Sequence, residues 1–354
     1  MRRDLFVFAG QSNMMGASVL PPQKKISVKN SYEYKHKIRR LGASSGEFVV
    51  ANYPIGEFCY KDLEKAYAVD MINEKGKSKL GDYVENTYFC PAMFNLNSEE
   101  EKTTFPFATF SEDTAPYGVT LAPFLVEEWE QRGQRCAYTH IAKGGVAILH
   151  FFNKRMREEY VRRIENANIS IDGSDGAADY FFEKCKHFFA DAQTAFSEDS
   201  LENKCIFWLQ GESDARDSVI EYETKLDILW EELKKIGFTH FFCIRVDYFG
   251  CDGISNVMKA QERFVAKHSD AYMLTRAASY FTHPLQNEGE WFVSEPLEIY
   301  RNCRDSFYGY NNHHINEKGF LVIAKRATEN LYRVLIENKQ PLLEDELVRA
   351  LVTI

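Results

Sequence analysis

The sequence predicts an α/β domain with a parallel sheet, and two patterns along the chain predict it. Five short apolar runs are typical of strands that are buried on both faces. Segments with apolar residues at helical spacing lie between them, and strands that alternate with helices form parallel sheets. The strand runs are residues 5–9, 137–142, 205–209, 241–246 and 271–274, and the helical segments are 121–129, 180–196, 219–236, 257–267 and 320–336.

The composition indicates a folded chain with a sizeable core. Hydrophobic residues make up 45% of the 354 residues and aromatic residues 14%, which excludes a disordered or fibrous protein. We expect one domain over residues 1–340, followed by a C-terminal tail at 341–354. Two long stretches without strong periodicity are expected to be a loop excursion at about 20–116 and a lid-like loop at about 278–310.

Charge and hydropathy narrow the possible partners. The net charge is -9 and no stripe of Lys and Arg is present, so we expect neither nucleic acid nor a membrane surface as a partner. No apolar stretch approaches the roughly 20 residues of a membrane span, and the first apolar run is too short for a signal peptide. We therefore expect a cytoplasmic protein, and the sequence indicates no oligomeric state.

The eight cysteines include no Cys-x-x-Cys pair, which argues against a zinc ribbon or a thioredoxin-like site. Cys136, Cys205 and Cys243 lie within apolar strand-like runs. We expect these three to be buried thiols in a reducing compartment.

A candidate nucleophile follows the first strand. The segment reads Gly10-Gln11-Ser12-Asn13-Met14. Open parallel sheets bind ligands at the carboxyl ends of their strands, and a serine at a strand-to-helix turn exposes both its Oγ and its backbone N–H. A serine that only caps a helix would give the same local pattern.

Three further polar blocks follow strands or precede the last helix. Gly144 and Gly145 come after the second strand, where paired glycines let a backbone N–H approach a ligand or simply form a turn. Gln210-Gly211-Glu212-Ser213-Asp214 ends the third strand, and Asp214 could simply cap the next helix. His313-His314 precedes the last helix, where an imidazole could meet the serine across the sheet edge.

Together these blocks resemble the SGNH hydrolases, and in particular the sialate O-acetylesterase-like branch that includes the acetylxylan esterases of carbohydrate esterase family six. Residues 10–14 match the Gly-Gln-Ser-Asn-Met block of that branch without change. Residues 208–214 match its Trp-x-Gln-Gly-Glu-x-Asp block, and Gly144-Gly145 corresponds to its paired glycines. Residues 311–319 align with Asp-x-x-His-Leu-Asn-x-x-Gly, a register that selects His314 rather than His313.

The resemblance implies a flavodoxin-like three-layer α/β/α sandwich around a central parallel five-stranded sheet. It also implies a carboxylic ester hydrolase with Ser12 as nucleophile and His314 as general base. The oxyanion donors would be the N–H groups of Ser12 and Gly145 and the side-chain amide of Gln210. The expected substrate is a small-molecule or oligosaccharide ester, most simply O-acetyl on a carbohydrate, and neither a metal nor an organic cofactor is required.

The family's aspartate is replaced by Asn311, which cannot offer a negative charge to an imidazolium. Glu212 could be the acid instead, the enzyme could run as a Ser-His dyad tuned by Asn311, or activity could have been lost. Asp305 in the adjoining loop is a further candidate for the acid. The alternatives to an acetylesterase are a lipase or thioesterase of the same superfamily, an acyltransferase, and a catalytically silent carbohydrate-binding protein.

Overall fold

A computed structural model of the protein describes residues 1–15, 24, 26–36, 46–50, 120–171, 176–246, 254–278 and 314–343. Seven strands in these ranges form one sheet in the order β3-β2-β4-β1-β5-β6-β7. The strands are β1 (Asp4–Gly10), β2 (Tyr32–His36), β3 (Gly46–Val50), β4 (Cys136–Ala142), β5 (Lys204–Leu209), β6 (His240–Ile244) and β7 (Ala271–Thr275).

The sheet is parallel except at one edge. Six strands run parallel, and β3 pairs antiparallel with β2, from Tyr32 opposite Val50 to His36 opposite Gly46. The five predicted strands are confirmed, but the predicted count of five is wrong because β2 and β3 extend the sheet. Both lie in the segment expected to be a loop excursion. Each has only five residues, and β2 carries charged residues such as Glu33, so neither produced a continuous apolar run.

The helices are α1 (Ser12–Met15), α2 (Leu121–Gln131), α3 (Lys154–Arg163), α4 (Gly176–Ala195), α5 (Val219–Lys235), α6 (Ile254–Lys267) and α7 (Glu317–Leu335). Short 3-10 turns cover Ile148–Phe151 and Glu212–Asp214. The five predicted helices are confirmed within a few residues, and α1 agrees with the strand-to-helix turn predicted at Ser12, whereas α3 was not predicted. The α3 sequence is mostly charged, and only Met156 and Tyr160 give it an apolar face.

The helices cover both faces of the sheet, which confirms the three-layer architecture. Every residue of β1 is buried, because one face packs against α2 and α7 and the other against α3 to α6. Phe6 and Phe8 point to the first face, and Leu5, Val7 and Ala9 point to the second, as the two-residue period of a strand requires. Burial on both faces is why the run that predicted β1 is apolar throughout.

Four cysteines in the described ranges are free and buried, including the three expected to be buried thiols: Cys136, Cys185, Cys205 and Cys243. Among the helices of the described ranges, none has the length and apolar character needed to cross a membrane. Most of the excursion, the lid-like loop after Ala278 and the tail after residue 343 lie outside the described residues.

Candidate functional site

Three of the predicted blocks meet because their strands are neighbours that end at the same level. Gly10, the last residue of β1, pairs with Ala142 at the end of β4 and with Leu209 at the end of β5. The contact with β5 is too close for a side chain, since a Cβ at position 10 would lie 2.0 Å from the carbonyl oxygen of Leu209. The glycine therefore lets the segment with Ser12 start directly beside the other two loops.

Ser12 is half-buried and begins α1, which is a single turn. The carbonyl oxygen of Met14 accepts hydrogen bonds from the side chain of Thr120 and, at 2.5 Å, from Nε2 of His140. His140 is completely buried in β4. The turn that carries the candidate nucleophile is therefore fixed from the protein interior.

Asn13 connects the serine turn to the block that carries His314. Its Oδ1 accepts a hydrogen bond from the backbone N–H of Ile315 at 3.0 Å, between residues 302 positions apart in the chain. Its Nδ2 donates to Oε1 of Glu212 at 2.9 Å. Because Ile315 directly follows the half-buried His314, this side chain brings the histidine segment to the sheet edge where Ser12 lies. Asn13 belongs to the matched block, but nothing in the sequence assigned it a role.

The loop after β4 passes beside Ser12. A Cβ added to Gly144 would lie 3.8 Å from Cβ of Ser12 and 3.1 Å from Cε of Met15. Gly145 is exposed and has a φ of 69°, a conformation that favours glycine. This places the predicted oxyanion loop next to the candidate nucleophile.

Gln210 is completely buried, and its amide is bonded within the protein. Nε2 donates to Oδ2 of Asp214 at 2.6 Å, and it also lies within hydrogen-bonding distance of two oxygens in the neighbouring loops. Oε1 accepts from the hydroxyl of Tyr222 at 2.8 Å. In this arrangement Gln210 joins the loops that follow β1, β4 and β5. The predicted role of its amide as an oxyanion donor stays a prediction.

Glu212 is buried beside Asn13. Burial raises the pKa of its carboxyl, while the hydrogen bond from Asn13 opposes that shift. Within the described ranges its Oε2 has no hydrogen-bond partner, and its Oε1 accepts from Asn13. Its role as the triad acid stays a prediction. The competing residues Asn311 and Asp305, as well as His313, lie outside the described residues.

Asp214 does not cap the helix that follows it, because Ser218 caps α5 through a complete capping box. The buried Asp214 carboxylate instead accepts from the backbone N–H of Ile148 at 2.8 Å and faces Nζ of Lys225 at 3.5 Å. Burial raises the pKa of Asp214, and the charge of Lys225 opposes that effect. Like Asn13, Gln11 is a residue of the site to which the sequence assigned no role. Its Oε1 accepts a hydrogen bond from the backbone N–H of Ser213 at 3.2 Å.

Comparison with known proteins gives structural neighbours only. No family model matches the chain, and no curated protein does. An Arabidopsis thaliana protein solved by X-ray crystallography has 12% identity and a TM-score of 0.44, covering 93% of this chain and 97% of its own. NanS has 12% identity and a TM-score of 0.46, covering 95% and 98%.

A carbohydrate acetylesterase from Xanthomonas citri has 11% identity and a TM-score of 0.42, covering 76% of this chain and 49% of its own. Similarities at this level do not bear on the activity of this chain.

Proposed function

We propose that this protein is a serine esterase of the SGNH type that hydrolyses small acyl esters through an acyl-enzyme on Ser12. The observation that carries the proposal is the 3.0 Å hydrogen bond from the N–H of Ile315 to Oδ1 of Asn13. It joins the residue after the candidate nucleophile to the residue after the candidate base. Because Asn13 and Ile315 are the sequence neighbours of Ser12 and His314, this hydrogen bond supports the proposal that Ser12 and His314 act as a pair.

In the proposed reaction Ser12 Oγ attacks the ester carbonyl carbon while His314 accepts the hydroxyl proton. The N–H groups of Ser12 and Gly145 hold the oxyanion of the tetrahedral intermediate. The C–O bond to the alcohol then breaks, and the alcohol leaves with the proton from His314. Water attacks the acyl-enzyme, gives its proton to His314 and releases the carboxylic acid, after which the proton returns to Ser12.

The proposed substrate is an O-acetyl ester of a carbohydrate, and the reaction needs no metal or organic cofactor. The substrate class rests on the resemblance of the four sequence blocks to the sialate O-acetylesterase-like branch.

The test is acetate release from p-nitrophenyl acetate and from acetylated xylan. We expect Ser12→Ala and His314→Gln to lower kcat by about 10⁴-fold or more, as loss of either member of such a pair does. Matched controls are Ser213→Ala, an exposed serine in the neighbouring loop, and His187→Gln on α4, both expected to keep wild-type turnover.

Turnover that survives Ser12→Ala would overturn the proposal. Binding of acetylated xylan by the wild type without acetate release would instead favour the carbohydrate-binding alternative.

A further inference from the structure

The side-chain amide of Asn13 has two hydrogen-bond partners, one at its nitrogen and one at its oxygen. A carboxyl oxygen of Glu212 lies at 2.9 Å from Nδ2, and the N–H of Ile315 lies at 3.0 Å from Oδ1. A backbone N–H can only donate, and an ionised carboxylate can only accept. Rotating the amide by 180° would turn Nδ2 toward the Ile315 N–H and Oδ1 toward the carboxylate, so the contact with Glu212 favours the orientation in which Oδ1 faces Ile315.

We propose that Asn13 is a positioning residue through which Glu212 acts on His314 indirectly. Glu212 orients the amide, Oδ1 of Asn13 holds the N–H of Ile315, and the turn so fixed presents the imidazole to Ser12. The consequence for catalysis rests on the proposed esterase function, whereas the mechanical link between Glu212 and Ile315 does not.

This role differs from that of a triad acid in the atoms it requires. A triad acid must offer a negative charge to the imidazolium, whereas the orienting role needs only an oxygen acceptor at position 212. Oε1 of Glu212 is bonded to Asn13, and Oε2 has no partner within the described ranges. The buried setting also raises the pKa of this carboxyl, which makes it a poorer counter-charge than an exposed one.

The first experiment measures hydrogen exchange of the Ile315 amide and does not depend on activity. We expect Asn13→Ala and Glu212→Leu each to raise this rate about three- to tenfold, as expected for loss of one buried hydrogen bond. Glu212→Gln keeps an oxygen acceptor and should leave the rate unchanged. The matched control is Asn330→Ala, since Asn330 is equally buried and bridges Leu274 and Leu342 on another part of the fold.

The exchange rate of Ile315 overturns the proposal if it stays at the wild-type value in Glu212→Leu while Asn13→Ala raises it. If Glu212→Leu does not fold, Glu212→Gln decides, because an increase of the exchange rate in that variant contradicts an acceptor-only role.

The second experiment measures kcat and KM on p-nitrophenyl acetate, with the thermal midpoint of each variant as a folding control. Misplacement of the imidazole should lower kcat by about 10²-fold in Asn13→Ala with KM little changed. The double variant, Asn13→Ala with Glu212→Leu, should have a kcat no lower than that of the slower single variant, because both substitutions remove the same link. We expect Glu212→Gln to keep kcat within about tenfold of wild type, since its oxygen can still accept from Asn13.

A fall of about 10⁴-fold in Glu212→Gln would show that the charge is needed and would overturn the indirect role. If the wild-type protein releases no acetate, the proposed function fails, and the exchange rates alone decide whether Glu212 orients Asn13.

Discussion

The carboxylate of Asp214 accepts a hydrogen bond from the backbone N–H of Ile148 at 2.8 Å, which ties the turn after β5 to the loop after β4. The same oxygen accepts from Nε2 of Gln210 at 2.6 Å. The other carboxylate oxygen lies 3.5 Å from Nζ of Lys225, which also pairs with Asp217 at 2.6 Å. Asp214 therefore fixes the loop of Gly144 and Gly145 from the interior.

Removing this carboxylate should destabilise the fold. We expect Asp214→Ala to lower the free energy of unfolding by about 3 kcal/mol, because it breaks a buried ion pair and leaves the Ile148 N–H without its acceptor. Asp214→Asn keeps an oxygen acceptor and should cost less. Urea unfolding of both variants gives the comparison, and equal losses would show that the charge opposite Lys225 matters more than the bond to Ile148.

Gly10 should be irreplaceable for a steric reason. Gly10→Ala would place a Cβ 2.0 Å from the carbonyl oxygen of Leu209, so β1 and β5 would have to separate just before Ser12. Gly133→Ala is the matched control, since it also has a positive φ of 77° but no neighbour within 4 Å of the added Cβ.

Gly133→Ala should lower the free energy of unfolding by about 1–2 kcal/mol through the backbone conformation alone. We expect Gly10→Ala to cost clearly more in urea unfolding and to lower esterase turnover as well. Equal destabilisation by the two substitutions would contradict the steric account.

Gln210 can be tested as a connector of loops against its predicted role as an oxyanion donor. An oxyanion donor alone would cost about 10²–10³ in kcat without loss of stability. Because the Gln210 amide is buried and bonded to the neighbouring loops, we expect Gln210→Ala to lower the free energy of unfolding by at least about 2 kcal/mol in addition to kcat. Measured stability equal to wild type, with kcat reduced, would favour the donor role instead.

The core of the fold was predictable because β1 and β4 to β7 are largely buried and so leave short, mostly apolar runs in the sequence. The edge of the sheet formed by β2 and β3 was not predictable, because both strands are short and β2 contains charged residues. Residues at strand ends, such as Ser12 and Gly145, could be picked out because topology alone places them at one edge.

The polar contacts beneath that edge depend on tertiary placement, which no local pattern encodes. Asn13 directly follows the serine in the matched block, yet its hydrogen-bond partners are 199 and 302 positions away in the chain. Asp214 looked like a helix cap because a carboxylate a few residues before a helix often is one, but the structure shows that Ser218 caps α5 together with Glu221, which is the spacing of a capping box.

Two groups should give the stability of this protein opposing pH dependences in the same range. Burial raises the pKa of Asp217 from 3.8 to about 6, and Lys225 only partly offsets this. Burial, with the charges of Lys143 and Arg157, lowers the pKa of His150 from 6.5 to about 4. Between these values the folded state binds more protons than the unfolded state at Asp217 and fewer at His150.

It follows that the contribution of Asp217 to stability decreases as the pH rises from about 4 to about 6, whereas that of His150 increases between about 4 and 6.5. Replacing either Asp217 or His150 should therefore leave only the pH dependence that the other residue causes. We expect the free energy of unfolding to rise more steeply with pH in Asp217→Asn than in wild type, and less steeply in His150→Gln. Urea unfolding at several pH values across this range measures both slopes, and a reversed order of the two variants would contradict the assignment of these shifts to burial.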